Sequence, residues 1–164
     1  MKTCIILFTT LICFSCNSLK NFEESPECPE GYDCEAELIK NTSINILEDT
    51  IGKNYVRLED NAAFHTLKYS YGYKSSPQLA DANYQEVIYF QFPVDAKNMQ
   101  LTEKEVETAN FIIAKHCFCP DAGYELIKDG NISVVADENK YYITLDFQSD
   151  KKMRSGNIKT IVGL

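Results

Sequence analysis

Four cysteines, two histidines and a run of tyrosines are the residues of this chain best suited to chemistry. Cys28, Cys34, Cys117 and Cys119 are disulfide candidates. On a regular strand, residues two apart share a face with Cα atoms about 6.5–7 Å apart, at the edge of what a disulfide spans. That geometry favours two long-range bonds, from Cys28 and Cys34 to Cys117 and Cys119. Each would close more than 80 residues, worth up to roughly 4 kcal/mol in the chain-entropy model. A local Cys28–Cys34 loop, leaving Cys117 and Cys119 to each other, is the alternative. Steps of six and two do not match the step of three typical of zinc knuckles, so no metal is expected. No Cys-x-x-Cys redox pair occurs.

His116 adjoins Cys117, but neighbours on a strand face opposite sides and cannot form a Cys–His couple. His65 falls on a tyrosine-rich face, where a structural histidine is expected. Tyr69, Tyr71 and Tyr73 alternate along one segment, with Tyr84 and Tyr89 as further members. They are a candidate aromatic binding face for sugar or peptide, although an amphipathic inner face fits the same alternation better. Hydrolase, metalloprotease, phosphate-loop and calcium-loop motifs are missing. Acidic residues scatter over turns and outer faces. A non-enzyme without cofactor is expected; a secreted hydrolase using paired carboxylates is the alternative.

The elements that must position these residues read as strands. Period-two alternation recurs at 34–40, 42–47, 54–59, 65–73, 123–128, 131–136, 140–148 and 157–164. Two segments, 84–93 and 110–119, read as central strands, and the first, apolar on both parities from Val87 to Phe92, must be covered on both faces or flanked centrally. In 141–147, Tyr141, Ile143, Leu145 and Phe147 form an inner face. Thr102 with Glu105 resembles a capping box, which places one short helix near 103–109. About ten strands with turns every eight to twelve residues predict an all-β fold, a mostly antiparallel β-sandwich.

The first sixteen residues are an address. One lysine, an apolar run from Cys4 to Phe14 and a small residue, Ser15, follow the order of a secretory signal peptide. The run is shorter than the roughly 20 residues a membrane span needs. "LICFSC" resembles a bacterial lipobox, in which Cys16 is lipidated; Cys13 and Phe14 depart from its usual leucine and small residue. The chain then divides into a lipoprotein signal peptide (1–15), an acidic flexible tether (16–33) and one β-sandwich domain (34–164). Removing residues 1–15 takes one of 16 basic residues and none of 24 acidic ones, leaving a net charge of −9. Such a chain repels nucleic acid, and its membrane attachment is expected through the lipid at Cys16.

The lipobox, the Cys28/Cys34 opening, "HCFCPDAGY" and "ISVVADENKYYITLDF" together resemble small lipoproteins of Flavobacteriia, within the Bacteroidota. The resemblance implies export and anchoring to the outer membrane, on its periplasmic or surface face. It brings no activity with it. In that setting Asp49-Thr50-Ile51 resembles the Bacteroidota O-glycosylation acceptor, making Thr50 a candidate site in an exposed turn. The expected role is a non-enzymatic binding or structural module of the cell envelope, with a protein or glycan ligand.

Overall fold

The computed structural model describes residues 28, 30–73 and 84–164. The signal segment, Cys16 and the tether up to residue 27 lie outside the described residues. Eleven strands form three antiparallel sheets. They are β1 (Tyr32–Ile39), β2 (Thr42–Glu48), β3 (Asn54–Asp60), β4 (Phe64–Tyr73), β5 (Gln85–Pro93), β6 (Asn98–Thr102), β7 (Phe111–His116), β8 (Gly123–Leu126), β9 (Gly130–Asp137), β10 (Lys140–Phe147) and β11 (Asn157–Gly163). A five-stranded sheet, in the order β1-β4-β5-β7-β8, packs on a four-stranded sheet, β11-β10-β9-β6. The hairpin β2–β3 forms the third sheet.

The core between the two large sheets follows strand parity. From the five-stranded sheet, Leu67, Ile88, Phe90, Phe92, Phe111 and Ile113 point inward and are fully buried. Val134, Tyr141, Ile143, Leu145 and Phe147 meet them from the other sheet. The sheets lock through edge-on rings: Phe92 with Tyr141 at 5.0 Å and Phe111 with Phe147 at 5.1 Å. Each such pair contributes about 0.5–1.5 kcal/mol beyond the area it buries. One inner hydroxyl, Thr160 Oγ1, is buried without a hydrogen-bond partner, and the packing offers no account of it.

The doubly apolar segments need cover on both faces, and the β2–β3 hairpin supplies the second. Val87, Ile112 and Ala114 point away from the core yet are buried. Gln91 on the same outer face accepts the Ile44 backbone N–H at 2.8 Å, and Asn110 Nδ2 donates to the Ile44 carbonyl at 3.2 Å. Thr66 Oγ1 adds a bond to the Thr42 carbonyl at 3.2 Å. The capping box is present: the Glu105 carboxylate accepts the Thr102 backbone N–H at 3.1 Å. The helix it starts is a 3-10 turn, Glu103–Thr108, that buries Val106. Strand β6 was not among the sequence expectations.

The disulfides correct the expected pairing. Cys28 bonds Cys34, and Cys117 bonds Cys119. Only a strand running regularly through residue 119 would hold Cys117 and Cys119 at the edge of disulfide range. Strand β7 ends at His116, and the bend after it brings the two Cα atoms to 5.3 Å. That lies within disulfide range.

Candidate functional site

Two regions of the sandwich concentrate polar side chains. The first is the end where β1, β5 and β8 begin and β4 and β7 finish. Its register aligns Cys34, Tyr71, Glu86, Lys115 and Gly123 across the five strands. Glu86 and Lys115 share the inward parity of the aromatic core residues, so an anion and a cation enter the buried layer. Burial of each demands compensation. Glu86 is fully buried. Its carboxylate accepts the backbone N–H groups of Arg154 at 2.7 Å and Ser155 at 3.0 Å, and the hydroxyls of Tyr84 and Ser155. Lys115 Nζ donates to Asp121 Oδ2 at 2.7 Å and to the Lys152 carbonyl at 2.9 Å. Both charged groups thereby pin the loop joining β10 to β11.

The ionisation of this end follows its contacts. The hydrogen bond from Lys115 holds the Asp121 carboxyl below its ordinary range. Burial pushes the Tyr71 phenol up to about 12. Burial and then the bond to Glu86 raise Tyr84 further. At the rim, Arg154 lies over the rings of Tyr84, Tyr73 and Tyr32, at 5.0, 5.3 and 5.8 Å from their centroids. It donates to the Tyr73 hydroxyl at 2.6 Å and to that of Tyr32. The bond from Tyr32, then the contact with Arg154, holds the Tyr73 hydroxyl below its ordinary value. Among the described residues, no carboxylate lies within ion-pair distance of Arg154.

The tyrosine stripe divides. Tyr69 and Tyr71 are core residues, 3% and 5% exposed, because the odd positions of β4 face the second sheet. They belong to the amphipathic inner face that the alternation favours, not to the alternative aromatic binding face. Tyr73 alone of the three reaches the surface, beside Tyr32 and Arg154. Glu86 and Lys115 were not singled out in the sequence. The available signal was one charged residue on the apolar parity of each central strand.

The cysteines and histidines have structural surroundings. Cys117, Cys119 and Asp121 place their ligand atoms within 4.8 Å of one another. The sulfurs are bonded together and Asp121 is held by Lys115, so in this form they offer no thiolate to a metal. His65 is buried, edge-on to Phe92 and Tyr141, and its Nδ1 accepts the Asn41 N–H at 3.1 Å. Burial, then Lys40, lowers its pKa and keeps it neutral. Thr50 sits exposed at the tip of the β2–β3 hairpin, where Asp49 Oδ1 accepts the Ile51 and Lys53 N–H groups.

The second polar region is the outer face of the four-stranded sheet. One register row is Thr102–Asn131–Asp146–Asn157 and the next is Gln100–Ser133–Thr144–Lys159. All of them but Lys159 line a shallow depression of ≈ 310 Å³, together with Leu101 and Ile132. Among the described residues, the side chains of Gln100, Asn131, Ser133, Thr144, Asp146 and Asn157 have no hydrogen-bond partner within the chain. Tyr142 lies on the same face one step along the register.

A third feature is a cleft of ≈ 620 Å³ beside β8, lined by Glu125, Asp129 and Asp150. Glu125 is already engaged: it accepts Ser149 Oγ at 2.7 Å and the backbone N–H groups of Asp150 and Lys151 at 2.8 and 3.2 Å.

No protein-family model, curated protein or solved structure matches the chain. Among the described residues, no helix is long and apolar enough to cross a membrane.

Proposed function

We propose that the chain is an exported lipoprotein, held at the outer membrane by a lipid on Cys16, whose sandwich is a non-enzymatic binding module for a glycan. One observation carries the binding reading: six amide, hydroxyl and carboxylate side chains in two register rows on one sheet face, without hydrogen-bond partners among the described residues. Amides donate and accept side by side, which matches adjacent sugar hydroxyls. Tyr142 adds an aromatic edge to the same face. Only Asp146 and Lys159 are charged in the two rows, so the face suits a neutral polyhydroxylated ligand. The signal-like opening and Ser15-Cys16 support the anchor.

The test uses the mature chain, residues 16–164 with Cys16→Ser, run through gels containing soluble polysaccharides. At least one polysaccharide should retard it, and Asn131→Ala with Asn157→Ala should abolish the retardation without changing the melting temperature. No retardation by neutral or acidic polysaccharides would remove the glycan reading. The anchor has its own test. Intact mass of the membrane fraction should show Cys16 acylated, and Cys16→Ala should release the protein or leave the precursor uncut.

A carboxylate hydrolase is the second reading, favoured by the cleft with Glu125, Asp129 and Asp150. The three hydrogen bonds on Glu125 weigh against it, since a proton-transfer group needs a free oxygen facing substrate. Polysaccharide hydrolysis that Asp129→Asn abolishes while binding persists would select it.

A further inference from the structure

The end of the five-stranded sheet that gathers Glu86 and Lys115 also carries the most exposed large apolar side chain among the described residues. Phe118 is fully exposed (107%), held between the bonded Cys117 and Cys119 and followed by exposed Pro120. The Lys115–Asp121 ion pair fixes the far side of the loop. A Phe ring held in water forgoes the hydrophobic stabilisation available to it, and this loop cannot fold it into the core. The same end of the sheet carries the rim tyrosines Tyr32 on β1 and Tyr73 on β4 and, from the β10–β11 loop, the exposed cations Lys152 and Arg154. Neither cation has a carboxylate within ion-pair distance among the described residues.

The chain enters at this same end. Cys28 is bonded to Cys34 in β1, one register step from Tyr32 and Tyr73. Eleven residues separate Cys16 from Cys28, a reach of about 40 Å at most when fully extended. A lipid on Cys16 therefore keeps the entry point at this end within about 40 Å of the bilayer.

We propose that this end of the sandwich seats on the lipid bilayer. Phe118 enters the boundary between headgroups and acyl chains, Tyr32 and Tyr73 sit at headgroup level, and Lys152 and Arg154 face the phosphates. Aromatic residues favour that level of a membrane, and cations on a polar face add attraction to anionic lipid. The net charge of −9 does not forbid the contact, because charges more than a Debye length away, about 8 Å at physiological salt, are screened. Tethering makes a weak contact sufficient, since the linker presents this end to the bilayer at a high effective concentration. The inference rests on the reading that Cys16 carries the lipid. It also leaves the outer face of the four-stranded sheet free for ligand.

The chain has no tryptophan, so Phe118→Trp introduces a single fluorescent reporter. The mature chain, residues 16–164, is coupled through Cys16 to a maleimide-bearing lipid in anionic vesicles that contain lipids brominated near the headgroup. The chemical tether tests seating whether or not cells acylate Cys16, so failure of the seat and failure of the anchor are separate results. The Phe118→Trp protein should show blue-shifted emission and several-fold stronger quenching than Asn139→Trp, a reporter in the opposite turn. Adding Lys152→Glu should weaken the quenching. Equal, weak quenching of the two reporters would overturn the proposal. A blue shift that depends on protein density without bromine quenching would also overturn it, placing a second copy on this face instead. Melts of each variant, with disulfides intact, establish that the reporter proteins are folded.

Discussion

The buried polar end and the outer face of the four-stranded sheet use similar residue types in opposite ways. At the end, the Glu86 carboxylate and the Lys115 ammonium are turned inward, and each is answered from within the chain. On the outer face, Asn131, Asp146 and Asn157 are turned outward and, among the described residues, meet no hydrogen-bond partner. The difference follows from solvent. A polar group taken into a low-dielectric interior must be paired or the fold loses stability, whereas one left in water tolerates any vacancy a ligand can fill. A self-satisfied cluster is therefore a structural device, however much its Glu, Lys, Tyr and Arg resemble a catalytic set. The unpartnered row is the better binding candidate.

The largest expected effect separates inside from outside within β10. Ile143 is fully buried and Thr144, its neighbour, faces out beside Asp146. Ile143→Asp forces an unpaired charge into the core, and its cost exceeds roughly 4 kcal/mol, comparable with the whole stability of a domain. The protein should not fold. Thr144→Asp should move the melting temperature little. Equal destabilisation by the two would break the division into faces.

Next in size is Glu86→Ala. It leaves two backbone N–H groups and two hydroxyls without their shared acceptor, and removing one partner of a buried charge network costs about 3–5 kcal/mol. The midpoint of urea unfolding should fall accordingly, and the β10–β11 loop should become the first site of proteolysis. A midpoint unchanged from wild type would show that the end is not held by Glu86.

The smallest effect is a pH dependence from His65. Its folded pKa is lowered, mainly by burial, so the folded state favours the neutral ring. The stabilisation is complete above the ordinary value of about 6.5 and is lost as pH falls through the lowered folded pKa. Melting temperatures recorded from pH 7.5 to 5 should fall less steeply in His65→Gln than in the wild type. Parallel curves would assign the acid sensitivity to other groups.

Much of the architecture was legible because burial imposes parity. The inward set Tyr141, Ile143, Leu145 and Phe147 and the doubly covered segment Val87 to Phe92 stand where alternation put them. Strand β6 escaped because Asn98–Thr102 carries only two apolar residues and lies against the capping box. The disulfides were misread because nothing in "KHCFC" announces that pairing stops at His116. The tyrosine stripe was legible as an inner face, but alternation does not show that Tyr73, at the end of β4, leaves the core for the surface. The outer-face row was illegible for a further reason: its members come from four strands, and only their register lines them up.

The central claim is tested most directly by measuring polysaccharide retardation and melting temperature together for two variants, Glu86→Gln and the Asn131→Ala/Asn157→Ala pair. Glu86→Gln should melt lower yet bind like the wild type at temperatures where it is folded. The asparagine pair should melt like the wild type and lose binding at least about tenfold, the equivalent of 1.4 kcal/mol. The opposite pattern, with binding lost on changing Glu86 and kept without the asparagines, would contradict the account.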